Sequence, residues 1–306
     1  MRHVPVLLEE TVAAVAVARD GVFADVTYGS GGHSRRLLEH LEPAARLLVL
    51  DRDEDAVADA RALAARDPRV LVRHAPFSRI GEITRSERLP PLNGVIMDIG
   101  VSSSQLDSAE RGFSFLRDGP LDMRMDRKQG VTAAQWLNSA DEPELAEVFR
   151  RYGEEPEARR IARAVIARRP LERTGDLAAA VETVRPGARD GIHPATRVFQ
   201  AVRIHVNDEL DELDAGLDAA FAALAPGGRL AVITFHSLEH RMVRRRFRGW
   251  SQGEPLPRRL PTRDPARTSA RMIVRRTRPS AAEVAANPRA RSAMLQVVEK
   301  TGGTGS

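Results

Sequence analysis

The stretch Asp25-Val26-Thr27-Tyr28-Gly29-Ser30-Gly31-Gly32-His33-Ser34 decides the fold. It follows a short apolar run, Val22-Phe23-Ala24, and precedes a helical pattern at Leu37, Leu38 and Leu41. Strand, glycine turn and helix in that order lay bare backbone beside a ligand. A second apolar run, Leu47–Leu50, ends in Asp51. That lies about twenty residues past the glycines, where a nucleotide-binding α/β unit keeps its ribose-binding carboxylate.

Glycine spacing narrows the ligand. A dinucleotide site wants Gly-x-Gly-x-x-Gly, so that a pyrophosphate sits on the helix N-terminus. Here Gly29, Gly31 and Gly32 are followed by His33 and Ser34, with no third glycine in register. The turn admits a ligand, but the pyrophosphate signature is incomplete. An adenosyl compound without phosphates, such as S-adenosylmethionine, needs only the glycines and the carboxylate. An ordinary glycine turn beside a solvated Asp51 is the plainer alternative.

Composition bounds the answer. At 306 residues the chain holds one large domain or two modest ones. It lacks an apolar run of about eighteen residues, so no transmembrane helix is expected. Met1-Arg2-His3-Val4-Pro5 carries no signal-peptide pattern, and a cytoplasmic protein is expected. There are no cysteines. Disulfides, thiolate zinc sites, iron–sulfur clusters and cysteine nucleophiles are thereby excluded. The formal charge is +5, from 47 Lys+Arg against 42 Asp+Glu. Arg241, Arg244, Arg245, Arg246 and Arg248 cluster, and Arg258, Arg259, Arg263, Arg267, Arg271, Arg275, Arg276 and Arg278 follow. A solvated face explains many such runs; beside a cofactor domain this one favours an anionic partner such as RNA or DNA.

The apolar runs predict an α/β protein with a parallel sheet. Strands are expected at Val22–Asp25, Leu47–Asp51, Val70–Val72, Val95–Asp98 and Leu230–Phe235, and Met272–Val274 and Met294–Val298 suit a closing antiparallel hairpin. The gap from Asp98 to Leu230 far exceeds one crossover. An inserted helical domain is therefore expected at 106–206, flanked by sheet segments 1–105 and 207–300, with a disordered tail at 301–306. Within the insert Asp141 and Pro143 suit a helix start, Thr174 an N-cap and Pro194 a helix opening. Asn207 reads as a cap, and Leu121–Asp126 as a loop or edge strand.

Ligands of open α/β sheets sit beyond the carboxyl ends of the strands. Five segments converge there: Gly29–Ser34; Asp51 to Asp53; His74–Phe77, where Phe77 suits a purine face; Asp98–Gln105; and Thr234–Glu239. Asp98 stands out, because a carboxylate at a buried strand end needs a partner. His236, on these grounds alone, reads as structural.

These residues also resemble a known family. His3–Leu8, Gly29–Ser34, Asp98–Gln105, Glu110–Phe115, Asp118–Asp126, His193–Ala201, Phe235–Glu239 and Asn287–Ser292, in order, closely resemble the bacterial ribosomal RNA small subunit methyltransferase H family, also called MraW. The match runs from His3 to about Val298. It implies a Rossmann-like class I S-adenosylmethionine-dependent methyltransferase sheet with an inserted helical substrate domain. It implies methylation of the exocyclic N4 of one cytidine in the decoding region of 16S rRNA. Carried over by motif, Gly31, Gly32, His33, Asp51, Phe77, Asp98 and Gln105 are the expected cofactor contacts. Asp98, Ser102 and His236 are the expected catalytic groups, and no metal is expected. The expected partner is 16S rRNA within the small ribosomal subunit, without a membrane; monomer and homodimer both stand open. Val26 and Tyr28 depart from the family's more usual Gly and Phe, Ser104 from Pro, and His240 from Asp.

Two rival classes remain at this level. A nicotinamide-dependent dehydrogenase wants the missing glycine. A cofactor-binding RNA chaperone without catalysis needs the basic surface but not the ordered polar segment Asp98–Gln105.

Overall fold

The computed structural model describes residues 5–187, 193–252 and 268–302. His3 and Val4, Arg258, Arg259, Arg263 and Arg267, and residues 303–306 of the expected tail lie outside the described residues.

Seven strands form one sheet: β1 Val22–Asp25, β2 Arg46–Asp51, β3 Val70–His74, β4 Leu92–Asp98, β5 Leu224–Thr234, β6 Ala270–Thr277 and β7 Met294–Lys300. Their order is β3-β2-β1-β4-β5-β7-β6. β1 through β5 pair in parallel, and β7 alone runs antiparallel to both its neighbours. This is the Rossmann-like class I sheet that the resemblance implies. The strand order reverses at β1, which has β2 on one side and β4 on the other; such a switch opens a crevice above the strand ends.

Both faces of the sheet are covered, which is why its strands read as continuous apolar runs. Leu48, Leu50, Val95, Met97, Leu230 and Val232 belong to one core layer, with Phe247. Phe23, Leu47, Val49, Ile96, Ala231 and Ile233 belong to the other, with Leu295 and Val297. Adjacent residues alternate between the layers, as the pleat requires. The last two strands are not a tight hairpin: the helix Ala281–Ala286 lies between them in sequence. Thr301, assigned to the tail, donates its backbone N–H to the Ser269 carbonyl at 3.0 Å.

The chain divides into two compact units, one running to Gly100 and resuming at Glu212, the other Val101–Asp211. The second unit is a few residues wider at each end than the expected insert. Val101 and Leu106 pack against its core, and Arg203 holds Glu209 at 2.8 Å. It is helical, with helices Glu142–Gly153, Ala158–Ala167, Thr174–Glu182 and Ala195–Val206 around Leu137, Phe149, Ile161, Leu177 and Val198.

One local reading is corrected there and another is extended. Thr174 is not the N-cap; it is the first residue of its helix and buried. Asp118 instead accepts the Gly175 N–H at 2.9 Å, and Asp176 accepts the Arg173 N–H at 2.9 Å. Asn207 does more than end a helix. Its amide accepts the Met125 N–H and donates to the Met123 carbonyl, both at 2.7 Å. Leu121–Asp126 is thus a clamped, irregular segment whose Leu121, Met123 and Met125 are buried.

Candidate cofactor and methyl-transfer site

Three carboxylates mark the carboxyl ends of the central strands: Asp25 on β1, Asp51 on β2 and Asp98 on β4. The turn after β1 is held open by glycines. Gly29 and Gly31 take positive φ of 55° and 70°, the left-handed region that glycine enters without strain. A Cβ on Gly31 would sit 2.3 Å from the Tyr28 ring, and one on Gly32 would sit 1.9 Å from Pro5 Cγ. The helix Gly32–His40 starts directly from this turn.

Asp51 is committed to the turn. One oxygen accepts the Gly29 N–H and the other accepts the Asp53 N–H, both at 2.8 Å. Desolvation pushes its carboxyl up to about 6 against these bonds. Asp25 is buried, accepts the Ser34 hydroxyl at 2.6 Å, and is likewise pushed up by desolvation to about 6. Thr27 Oγ1 accepts the Asp98 N–H at 2.6 Å, which ties the glycine turn to β4.

Asp98 is the least satisfied of the three. Its Oδ1 is buried and has no hydrogen-bond donor among the described residues. Its Oδ2 lies 3.6 Å from Nδ1 of the buried His33. Desolvation first, then the charges of Asp25 and Glu239, push its carboxyl up to about 8. An acceptor aimed at nothing inside the protein invites a cationic donor from outside.

Phe77 opens a short turn three residues after β3, with its ring against Gly216, where a Cβ would come within 2.3 Å of the ring. His236 follows β5, and its Nε2 lies 3.0 Å from Glu239 Oε1. The other Glu239 oxygen accepts the backbone N–H groups of Phe235 and His236 at 2.7 and 3.2 Å, closing the start of the helix Ser237–Gln252. The His240 ring bonds Thr234 Oγ1.

The structure therefore gathers Gly31, Gly32, His33, Asp51 and Asp98 around the β1–β4 switch. Ser102 and Gln105 belong to the other unit. There they form a capping box: the Gln105 N–H donates to Ser102 Oγ at 3.2 Å, and the Ser102 N–H to Gln105 Oε1 at 2.9 Å.

Four residues went unassigned in the sequence reading: Asp25, Tyr28, Arg35 and Asp59. Asp25 was findable, since a carboxylate closing a buried strand beside a glycine turn carries the same signal as Asp98. The others make a clasp. Tyr28 donates its hydroxyl to Asp59 at 2.6 Å, and Arg35 reaches Asp59 and the Ser30 carbonyl, each at 2.5 Å. Nothing in local spacing joins residues 28, 35 and 59.

Comparison with known proteins places this arrangement. A family model described as the MraW methylase family matches residues 1–301. A Chromohalobacter salexigens protein named ribosomal RNA small subunit methyltransferase H is 52% identical over 307 residues, covering 98% of this chain and 92% of that one. A Shewanella frigidimarina protein of the same name is 48% identical, covering 97% of each. Among solved structures, an rRNA methylase from Streptococcus thermophilus aligns over 96% of this chain and 93% of its own, with TM-score 0.42 and 9% identity. With the model matched over nearly its whole length and relatives at half identity, the chain belongs to the MraW methylase family.

Proposed function

We propose that this protein transfers the methyl group of S-adenosylmethionine to the exocyclic N4 of one cytidine in the decoding region of 16S rRNA. Membership of a methylase family and relatives named for small-subunit rRNA support the coarse statement: the cofactor is S-adenosylmethionine and the substrate is small-subunit rRNA. The choice of cytidine N4 rests on the motifs of the family resemblance.

One observation carries the cofactor reading. The site presents three desolvated carboxylates, one with an unmet buried oxygen, beside a glycine turn that lacks the pyrophosphate glycine. A ligand carrying a sulfonium and an ammonium would favour the ionised form of such desolvated carboxylates. The residues fit S-adenosylmethionine: Asp51 for the ribose hydroxyls, Phe77 for the adenine, Gly31 and Gly32 for close approach, and His33 and Asp98 toward the methionine end. Gln105 keeps the cofactor role that the resemblance gives it. When bound, the cofactor supplies an electrophilic methyl group, so activation by a metal is not required.

The protein's own work is then placement and proton handling. The lone pair of a cytosine amine is delocalised into the ring, so the nitrogen must be held in line with the methyl, largely an entropic contribution. Asp98, backbone carbonyls near Val101 and the Ser102 hydroxyl are acceptors for the amine N–H bonds. His236 takes the departing proton or contacts the base, with Glu239 Oε1 at 3.0 Å from its Nε2. The target base leaves its stack to reach the site. Binding and transfer test the reading together. S-adenosylmethionine, and not NADH, should bind by calorimetry, and its labelled methyl should pass to small-subunit rRNA. NADH binding, or cofactor binding without transfer, would contradict it.

A further inference from the structure

The arginines of the sheet unit sort by partner and by position. At one end of the last three strands, Arg229 on β5 and Arg271 on β6 both sit opposite Glu299 on β7. They reach its carboxylate at 3.0 and 2.8 Å, so both arginines at that end have an acidic partner. The other end is different. Asp98 pairs with Ile233, Ile233 with Leu295, and Leu295 with Thr277, so the close of β6 and the start of β7 share the end of the sheet that carries Asp98. Arg275 and Arg276 close β6, Arg278 follows it, and Arg291 stands in the turn Pro288–Ser292 before β7. All four are exposed, and none has a carboxylate partner among the described residues. Arg278 acts electrostatically on His240, whose ring bonds the last residue of β5.

Edge protection accounts for only half of this. β6 is the last strand of the sheet, and charged residues on an edge discourage pairing with another chain. That covers Arg275 and Arg276 but not Arg278 and Arg291, which lie off the strand. Like charges gathered without acids repel one another unless an anion neutralises them. Accepting the rRNA-methylation reading, we infer that Arg275, Arg276, Arg278 and Arg291 form a phosphate-binding rim at the reaction end of β6 and β7, gripping the RNA backbone beside the nucleotide being methylated. Arginines there would position the strand without reading its sequence.

The test is the salt dependence of binding to unmethylated small ribosomal subunits. The triple variant Arg276→Gln/Arg278→Gln/Arg291→Gln should flatten the log affinity against log salt slope by about two to three, since each lost phosphate contact removes roughly 0.7–0.9. Its S-adenosylmethionine affinity should be unchanged by calorimetry, which also reports that the site is folded. Arg79→Gln, an exposed arginine neutralised by Glu82 at 2.7 Å, should leave the slope alone. An unchanged slope in the triple variant overturns the rim. If the triple variant does not fold, the single variants Arg278→Gln and Arg291→Gln decide, each expected to lower the slope by about one and each overturning the rim if it does not. A parent protein that methylates the subunits while the variants keep its slope defeats the rim alone; a parent that transfers no methyl defeats the RNA reading and the rim with it.

Discussion

At Asp98 three effects act on one carboxylate: burial, two neighbouring acids, and an oxygen without a donor among the described residues. Its carboxyl is raised in the folded state to about 8, so its contribution to stability is present below its unfolded value and is lost as pH rises through about 8. Asp25 and Asp51, raised to about 6, act in the same sense over a lower window. Asp98→Asn should therefore melt higher than the parent at about pH 9 without cofactor, with the gap closing toward about pH 5. The same variant should bind S-adenosylmethionine poorly. Thermal melts across pH check the first statement, and a lower melting point for the variant at high pH would contradict it. On the proposed reading Asp51 holds the ribose hydroxyls, so Asp51→Ala should weaken cofactor binding on the order of 100-fold by calorimetry, while the protein stays folded. Near-normal binding would reject the ribose assignment. Asp51 and Asp98 were legible in the sequence because each closes an apolar strand. Asp25 carried the same signal but lay inside a stretch read for its glycines.

Strands and helices were legible where burial forces a period. β1 is buried throughout and its limits match the expectation, whereas β5 begins at Leu224, well before the apolar run at Leu230, and its early residues Pro226 and Gly227 are exposed and carry no apolar signal. Caps were harder to read, since they depend on which side chain arrives from elsewhere. Thr174 looked like a cap, but Asp118 reaches across more than fifty residues to serve that helix start. The Tyr28–Asp59–Arg35 clasp is a tertiary feature of the same kind, joining the glycine turn to the helices Gly32–His40 and Glu54–Ala64. It steadies the Ser30 carbonyl. Tyr28→Phe should raise the KM for S-adenosylmethionine by about five- to tenfold, the worth of one hydrogen bond, with kcat nearly unchanged. Steady-state kinetics separate the two, and an equal loss in kcat would show that the hydroxyl matters to the transfer step instead.

Across the whole molecule, the long gap between Asp98 and Leu230 told of an inserted unit, and its helical core around Phe149 and Val198 follows the amphipathic pattern of the sequence. The charge pattern was legible only as a sum. The sequence shows a run of arginines, but the fold separates those held by Asp214, Asp218 and Glu299 from those left for an anion. No helix among the described residues is long and apolar enough to cross a membrane. The most direct test of the central claim maps modified nucleosides in 16S rRNA from cells that lack this protein and from the same cells with it restored. A single N4-methylated cytidine in the decoding region should lose that methyl group without the protein and regain it on restoration, but not with the Asp98→Asn variant. An identical modification profile in the presence and absence of the protein would contradict it.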